Sequence, residues 1–373
     1  MARGGFWLQH AANAAQELVG YGDVLANQPG GRPGVIMAPV NARTTLNPLF
    51  QQARSKGDAV LDPNGHFLDR KHTDRAKRHF PWLAQGRPST QSAWEAWVEA
   101  SMEHQLAADL RGAGSPPSFT ITPSPIVTVE AGATEFYEIL DAASEVRARR
   151  DIDAWLGLSV DRAYLRSSPQ RIRLCNAVIS TSAAGVVFRC FHNQLPPVTD
   201  RAYVEGMREL SFAASAGGVE LLLPNSGWLG WLAMAWGAWG FSGGLAAASW
   251  GDREPGPMNS PDEPSNPYFE PLLMRTVRWR NHLELIAHPA YEPCECPECQ
   301  EMGMTTYDAR LAKRHQMWWA NKEGAVLEPL NLAQRKAAVR TRLEDAVSFR
   351  EGLSTLVQER AGASFLDTWL SLL

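Results

Sequence analysis

The chain has 373 residues, of which 45% are hydrophobic and 20% are charged, so it is long enough for one large globular domain or two medium ones. Its formal net charge of -4 argues against a protein that binds nucleic acid through overall charge, although a local basic surface stays open. Three of the five cysteines lie within six residues, unlike a secreted disulfide framework, and residues 1–20 lack a signal-peptide pattern, so we expect a cytoplasmic protein.

Short apolar runs alternate with amphipathic segments over most of the chain. Strands are predicted over residues 34–40, 58–62, 119–122, 126–129, 155–160, 185–191, 219–223, 239–247 and 283–287. Helices are predicted over residues 92–111, 134–149, 201–214 and 228–236. Because buried parallel strands are continuous apolar runs connected by helices, the pattern predicts an α/β fold, a (β/α)8 TIM-like barrel over residues 1–290.

The remaining residues, 291–373, differ in composition from the predicted barrel. Residues 307–321 and 331–373 have helical patterns and more charge, which predicts a zinc-binding helical C-terminal subdomain. The most apolar stretch, residues 217–248, is interrupted by Pro224, Asn225 and several glycines. No uninterrupted run near 20 residues remains, so we predict a barrel core there and no membrane span.

Cys294, Cys296 and Cys299 stand close together in a proline-containing segment. Three thiolates at this spacing can converge on one tetrahedral ion, and His315 is the predicted fourth ligand. His282 and His288 are alternative fourth ligands. Unliganded thiols at this density would be prone to oxidation. We therefore predict a zinc ion whose four positions are all filled by the protein, which is the arrangement of a structural site.

The Cys-x-Cys-x-x-Cys pattern with a later His, behind a segment of barrel length, resembles the tRNA-guanine transglycosylase family. The resemblance covers most of the chain in layout but only a few short motifs in letters. It implies a (β/α)8 barrel that exchanges guanine for a 7-deazaguanine base in nucleic acid. In that family an aspartate attacks the sugar C1′ to form a covalent nucleotide intermediate, and a second aspartate transfers protons. The resemblance therefore implies a pentosyltransferase.

The resemblance also assigns roles to residues at the ends of predicted strands. Asp62 resembles the proton-transferring aspartate, with a turn formed by Asp-Pro-Asn-Gly as the alternative. Asp161 resembles the aspartate that accepts hydrogen bonds from the guanine edge, with a helix N-cap as the alternative. Gln194 resembles the glutamine that contacts the base, and His192 and Asn193 compete for this role.

Two further positions follow from the order of the family's motifs. Asp252 lies where the family has its nucleophile, with Asp262 or an ordinary solvated loop aspartate as the alternatives. Asn225 lies where order predicts the loop that binds the base. The letters Gly-Gly-Leu-Ala of that loop occur instead at residues 243–246, too close to Asp252 for a helix and a strand to separate them. We therefore assign the base-binding loop to the segment around Asn225, on the basis of its order in the chain, and not to residues 243–246.

Basic residues near these sites suggest contacts with nucleic acid. The run over residues 70–79 follows Asp62; Arg275, Arg278 and Arg280 surround Trp279; and Lys313 and Arg314 follow the cysteines. Such residues could hold a phosphate backbone with a base stacked on tryptophan, although a solvated helix face is the alternative.

The expected partners are nucleic acid, with DNA favoured slightly over tRNA because the familiar letters of the tRNA enzymes are missing, and a 7-deazaguanine-type base. The sequence does not decide whether the protein forms a homodimer or needs accessory proteins. A second hypothesis is a catalytically inactive relative that serves as a nucleic-acid-binding or partner subunit. A third is an unrelated barrel with a catalytic metal, for which only His66 and His192 are suggestive ligands.

Overall fold

The computed structural model of the chain describes residues 4–9, 15–37, 46–68, 81–110, 115–191, 199–245, 266–303 and 306–373. The strands are β1 Gly5–Gln9, β2 Gly34–Met37, β3 Ala59–Leu61, β4 Thr120–Ile121, β5 Ile126–Val127, β6 Ala154–Asp161, β7 Gly185–Phe191, β8 Glu220–Leu223, β9 Gly240–Gly243, β10 Pro267–Glu270 and β11 Arg275–Arg278.

The helices connect these strands and form the C-terminal part of the molecule. They are α1 Ala15–Ala26, α2 Leu46–Lys56, α3 Pro81–Ala84, α4 Gln91–Leu110, α5 Gly132–Arg150, α6 Ala163–Arg166, α7 Ser168–Ser180, α8 Arg201–Ala216, α9 Gly227–Met234, α10 Trp279–Leu285, α11 Pro297–Met302, α12 Ala309–Leu327, α13 Leu332–Gly352, α14 Thr355–Ala361 and α15 Phe365–Ser371. Short 3-10 helices cover Gly65–Phe67 and Pro271–Leu273.

Nine of these strands form one parallel sheet in the order β3-β2-β1-β9-β8-β7-β6, with β4 and β5 both paired to β6. β4 pairs with the start of β6 and β5 with its end, so the two occupy one strand position and the sheet has eight positions. Every residue of β7 is buried, which explains why its sequence is an almost continuous apolar run. A separate antiparallel hairpin joins β10 to β11.

The parallel sheet is strongly curled around an apolar cluster on its concave face. Side chains from seven of its strand positions meet there, and they are Trp7, Ile36, Val60, Phe119, Ile121, Trp155, Val187 and Leu222. The ring of Trp155 stacks on Phe119 with centroids 4.0 Å apart. Gly185 makes room for this ring, because a Cβ at that position would lie 2.3 Å from it. The cluster thus supports the residues that follow it on each strand.

The two ends of this strand order approach one another. The backbone N–H of Ser118, which leads into β4, donates to the carbonyl of Ala59 in β3 at 2.9 Å. The hydroxyl of Ser118 accepts a hydrogen bond from the backbone N–H of Ala59 at 3.1 Å. The curvature is therefore large enough to bring both edges of the sheet within hydrogen-bonding distance at this point.

Helices cover the outer side of the sheet. Asp200 caps α8 by accepting a hydrogen bond from the backbone N–H of Tyr203, and the buried face of α8 includes Tyr203, Val204 and Leu210. Helix α12 follows the sheet in sequence and packs on β1, where a Cβ on Gly324 would lie 3.0 Å from the backbone of Phe6. Among the described residues, no helix has both the length and the apolar character needed to span a membrane.

The structure confirms the predicted α/β class and most of the predicted helices and strands. One predicted strand is wrong. Residues 283–287 are not a strand, because α10 covers most of them. Its buried residues Trp279, His282 and Leu285 recur every three positions, which is a helical period. Strand β1 and the β10–β11 hairpin were not predicted. The proposed domain boundary at residue 290 stays a prediction.

Candidate functional site

Polar side chains form the next layer on the concave face, towards the carboxyl ends of the strands. Gln9, Asp62 and Arg189 each come two residues after a member of the apolar cluster. Because side chains alternate along a strand, each of the three points to the same face as that apolar residue. All three are buried. The carboxyl ends of parallel strands are where α/β barrels carry their catalytic groups, so this layer is a candidate site.

Asp62 lies at the centre of this layer. Nη2 of Arg189 donates a short hydrogen bond to its Oδ2, and Nε2 of Gln9 donates to the same oxygen at 3.4 Å. The other oxygen, Oδ1, accepts the backbone N–H of Asn64 at 2.9 Å. Asn64 directly follows the Asp62-Pro63 pair and has a φ of 51°, a left-handed turn conformation that asparagine tolerates. One carboxylate oxygen of Asp62 therefore has the role predicted for a turn residue, while the other oxygen contacts a buried cation.

The layer continues from Gln9 to the last strands of the sheet. The hydroxyl of Ser242 donates to Oε1 of Gln9 at 2.9 Å and accepts the backbone N–H of Asn225 at 2.8 Å. Asn225 follows β8 and has a φ of 50°. A continuous chain of hydrogen bonds thus connects Asn225 to Asp62 through Ser242 and Gln9, and places two of the predicted site residues in one layer.

Asp161 lies at the end of β6 and is half-buried. Its Oδ2 accepts the backbone N–H of Val129 at 3.0 Å, and its Oδ1 accepts that of Ala163 at 2.8 Å. These bonds fasten the start of α6 to the segment after β5. An ionised carboxylate can accept further hydrogen bonds at each oxygen, so the base-binding assignment stays a prediction.

Several predicted residues lie outside the described part of the chain. They are the nucleophile candidates Asp252 and Asp262, the base-contacting candidate Gln194, its competitors His192 and Asn193, and the basic run over residues 70–79. Their roles stay predictions.

Arg189 and Gln9 belong to the site but were not predicted from the sequence. Arg189 stands inside the apolar run of β7, where every residue is buried. A buried arginine needs a counter-charge, so this single cation in an apolar strand was the available signal. Gln9 ends β1, whose short length and position close to the N-terminus concealed it.

The cysteine cluster forms a second centre. Cys294, Cys296 and Cys299 each direct Sγ towards Nδ1 of His315, at 3.7, 3.2 and 3.2 Å respectively. All four atoms lie within 4.8 Å of one another. A tetrahedral ion with bonds of about 2.0–2.3 Å to nitrogen and sulfur would separate its ligand atoms by about 3.5–3.8 Å. The group could therefore hold one metal ion, and all five cysteines of the chain are free of disulfides.

Neighbouring groups orient these four side chains. The carbonyl of Phe269 lies 2.7 Å from Nε2 of His315, so Nε2 carries the hydrogen and Nδ1 presents its lone pair to the sulfurs. Nε1 of Trp319 donates to Sγ of Cys294 at 3.2 Å. Cys296 is the N-cap of α11, and its sulfur accepts the backbone N–H of Cys299 at 3.3 Å. The cluster is thus held by three different parts of the chain.

Hydrogen bonds within the cluster shift the pKa values of two thiols in opposite directions. Those with Cys296 and Cys299 hold the pKa of the Cys294 thiol well below its usual range, which favours the thiolate that binds metals. Those with Cys294 and Cys299 raise the pKa of the Cys296 thiol. Burial, together with the charges of Cys299 and Glu270, raises the pKa of Tyr268 far above its usual value. The Tyr268 hydroxyl therefore keeps its proton, and it is the donor in the hydrogen bond of 3.1 Å to Sγ of Cys299.

The two alternative histidines have other partners. Nδ1 of His282 lies 2.9 Å from Oε2 of Glu270, and Nε2 of His288 lies 2.9 Å from the carbonyl of Gly352. Among the described residues, the Cys3His group is the one set of three or more His, Cys, Asp or Glu side chains whose ligand atoms are close enough to hold an ion. His66, a possible ligand of a catalytic metal, lies instead beside Phe67 and Phe191.

Comparison with known proteins identifies no family. No protein-family model matches the chain, and no curated protein matches it.

Proposed function

We propose that this protein is a pentosyltransferase that exchanges guanine for a 7-deazaguanine base in nucleic acid. One observation carries the proposal: a buried carboxylate, Asp62, lies at the carboxyl end of β3, while α12, which packs on β1 of the same sheet, carries the histidine of a Cys3His group. The transglycosylase family, which the sequence resembles, combines these two features.

The proposal includes a closed (β/α)8 barrel. The eight parallel strand positions match the number required, and the hydrogen bonds between Ser118 and Ala59 join the two outermost positions. The shared apolar cluster of the concave face is the kind of interior that such a barrel has.

The proposal also includes zinc in the Cys3His group. Three soft thiolates and one imidazole form a common tetrahedral zinc donor set. The protein supplies all four ligands, so the ion would have a structural role. When bound, it would connect the segment that contains Cys294 and Cys299 to α12 and stabilise both.

The proposed chemistry uses two aspartates. A carboxylate oxygen of Asp252 forms a bond to the sugar C1′ while the bond from C1′ to the departing guanine breaks. The departing guanine takes a proton from Asp62. The incoming base then returns a proton to Asp62 and attacks C1′, which releases Asp252. Arg189 and Gln9 both donate hydrogen bonds to Oδ2 of Asp62, and in this scheme they hold the carboxyl group in position during the two proton transfers. Asp161, Gln194 and Asn225 bind the base in this scheme.

In the proposal, DNA is favoured slightly over tRNA as the substrate. The letters around Asp62 and Asp252 depart from those of the tRNA enzymes, and the absence of a matching family model agrees with a divergent branch. Relatives that act on DNA insert a deazapurine as a protective modification.

The test is a base-exchange assay with radiolabelled guanine or 7-deazaguanine. Zinc-loaded protein is incubated with duplex DNA, single-stranded DNA or tRNA, with and without cell extract as a source of accessory proteins. We expect label in DNA, loss of label with Asp252→Asn or Asp62→Asn, and full activity with Asp141→Asn, which changes an exposed aspartate on α5. Label in none of the nucleic acids would contradict the proposal.

A second function is favoured by the partners of Asp62. Its carboxylate already accepts hydrogen bonds from Arg189, Gln9 and Asn64, as a purely structural carboxylate would. An inactive relative that binds nucleic acid or a partner protein would retain this arrangement. In the same assay, binding of DNA without any exchange would support this alternative.

A further inference from the structure

A cavity of about 400 Å³ lies between the β10–β11 hairpin with α10 and the C-terminal helix α14. Four of its lining residues are arginines, namely Arg275, Arg278, Arg280 and Arg360. We refer to these four residues and the space between them as the arginine groove. Its fourth arginine comes from a part of the chain that is remote in sequence, so the groove exists only in the folded protein.

The two sides of the groove are held together by hydrogen bonds. Nδ2 of Asn281 donates to the carbonyl of Arg360 at 2.9 Å, and Nη1 of Arg360 donates to Oε1 of Glu284 at 2.7 Å. Nη1 of Arg275 donates a short hydrogen bond to the carbonyl of Gly362. Arg275 and Arg360 are therefore positioned by contacts that persist without a ligand, whereas Arg278 and Arg280 are exposed at the groove.

The groove carries excess positive charge. Glu284 is the carboxylate that pairs there, with Arg360 and, at 4.0 Å, with Arg280. Within the described residues, neither Arg275 nor Arg278 forms an ion pair with a carboxylate. The chain as a whole has a net charge of -4, so this concentration of arginines contrasts with the average surface.

Arg275 points most directly to an anionic ligand. Its guanidinium is half-buried, and the partners of its nitrogen atoms are the carbonyls of Gly362 and, at 3.4 Å, Thr276. Burial lowers the pKa of Arg275, although a guanidinium keeps its charge at neutral pH. Desolvating a cation costs free energy that carbonyl dipoles offset only in part. An anion bound in the groove would offset the rest of the desolvation cost of the Arg275 guanidinium.

We propose that the arginine groove binds the phosphate groups of a nucleic-acid backbone, away from the nucleotide that reacts. The guanidinium fork matches phosphate oxygens in geometry and charge, which favours phosphate over a simple anion. That the phosphates belong to a nucleic acid rests on the proposed function. Trp279 does not offer a stacking face to a base here, because it is buried against Tyr268 with ring centroids 5.3 Å apart.

The other basic residues near the cysteines do not belong to the groove. Arg314 lies 3.4 Å from Oε1 of Glu17 and stacks over the ring of Tyr21 at 5.1 Å. Its charge is therefore compensated within the protein.

The experiment measures binding of fluorescent duplex DNA to zinc-loaded full-length protein over a range of salt concentrations. The variant is Arg278→Ala/Arg280→Ala, since both side chains are exposed and their removal should leave the fold intact. The control is Lys336→Ala/Arg340→Ala, which removes the same charge from α13, outside the groove. Zinc content and circular dichroism check that each variant is folded. Inorganic pyrophosphate is tested as a competitor.

We expect the groove variant to bind DNA about tenfold more weakly than the wild type. Its plot of log affinity against log salt should be less steep by about one for each phosphate group that the variant no longer binds. The control should bind as the wild type does. Equal affinity and slope for the groove variant, or binding of pyrophosphate without any binding of DNA, would overturn the inference.

This outcome is separable from that of the base-exchange proposal. DNA binding that depends on the groove, without any base exchange, would support the groove proposal and contradict the proposed activity. Base exchange with an unchanged KM for DNA in the groove variant would support the proposed activity and contradict the groove proposal.

Discussion

Arg189 and Asp62 are separated by 127 residues in the chain, yet Nη2 of Arg189 donates a hydrogen bond to Oδ2 of Asp62 inside the curled sheet. Their side chains are only 4% and 7% exposed. β7 and β3 are not neighbours in the sheet order, so the contact crosses the concave face. The pair therefore joins opposite sides of the sheet above the apolar cluster.

Arg189→Met should destabilise the protein strongly. The substitution retains an unbranched side chain but leaves the Asp62 carboxylate buried without its counter-charge. The free energy of unfolding should fall by about 3–5 kcal/mol. Urea unfolding followed by circular dichroism measures this change.

The matched variants distinguish an unpaired buried charge from a change in side-chain packing. Asp62→Leu combined with Arg189→Met removes both charges and should recover part of the stability. Arg149→Ala breaks a pair with Glu95 on an exposed surface and should cost far less. A destabilisation by Arg189→Met no larger than that by Arg149→Ala would contradict a buried ion pair.

Asp62 could be located from the sequence because it ends a short apolar run and begins a recognisable turn. Arg189 could not be paired with it, because nothing in the local sequence of β7 indicates a partner on β3. The same limit applies to Gln9 and Ser242, whose hydrogen bond joins the first strand of the sheet to the ninth. Local patterns predict which strands exist, whereas the packing of the sheet decides which polar residues meet.

The three cysteines of the cluster could be predicted from the sequence because they are neighbours in the chain. The histidine was a choice among three candidates, and packing decided it: α12 places His315 at the sulfurs, while Glu270 engages His282. The strand predicted over residues 283–287 failed because its short apolar run also fits the buried face of a helix.

Removing a ligand of the Cys3His group should abolish or weaken the proposed binding of zinc. Cys296→Ser and His315→Ala each leave three protein ligands and should lower both the metal content and the melting temperature. Metal content is measured by mass spectrometry after gel filtration.

The controls use the same residue types outside the cluster. Cys175→Ser and His288→Ala should retain one zinc ion per chain, because neither side chain belongs to the Cys3His group. Loss of zinc from His288→Ala but not from His315→Ala would show that the fourth ligand is assigned wrongly.

Tyr268→Phe should weaken metal binding without abolishing it. The substitution removes the hydroxyl that donates to Sγ of Cys299 but retains the ring that stacks on His315 at 4.6 Å. Loss of such a supporting hydrogen bond should lower metal affinity about tenfold, as measured by competition with a chelator. Tyr307→Phe is the control, since its hydroxyl donates to the carbonyl of Pro267. Equal affinities for the two variants would exclude a role for the Tyr268 hydroxyl.

Gly157→Ala tests the close packing of β4 on β6. A Cβ at residue 157 would lie 1.9 Å from the carbonyl oxygen of Thr122, so the strands would have to separate. We expect a decrease of at least about 2 kcal/mol in the free energy of unfolding. Gly20→Ala is the matched control, because nothing lies within 4 Å of its added methyl group. In the interior of α1 it should stabilise by about 0.5–1 kcal/mol. A tolerated Gly157→Ala would contradict this strand pairing.

The last helix is fastened by an ion pair that should make stability depend on pH. Nη1 and Nη2 of Arg350 donate to Oδ2 and Oδ1 of Asp367 at 2.6 and 2.8 Å. Hydrogen bonding from Arg350 is the main cause that lowers the pKa of Asp367 below its usual value. Asp367 is 62% exposed, so solvent screens the pair and its contribution should be below about 1 kcal/mol.

Because the folded state lowers this pKa, the pair stabilises the protein fully above the unfolded pKa of about 3.9, and the contribution disappears as the pH falls through the lower, folded value. Asp367→Asn should therefore be slightly less stable than the wild type at pH 7. Near pH 2, if both proteins still fold, their stabilities should converge, because the wild-type carboxyl is then protonated as well. Urea unfolding at both pH values measures the difference. A difference that is the same at pH 7 and near pH 2 would mean that the substitution acts through packing of α15 rather than through the charge of Asp367.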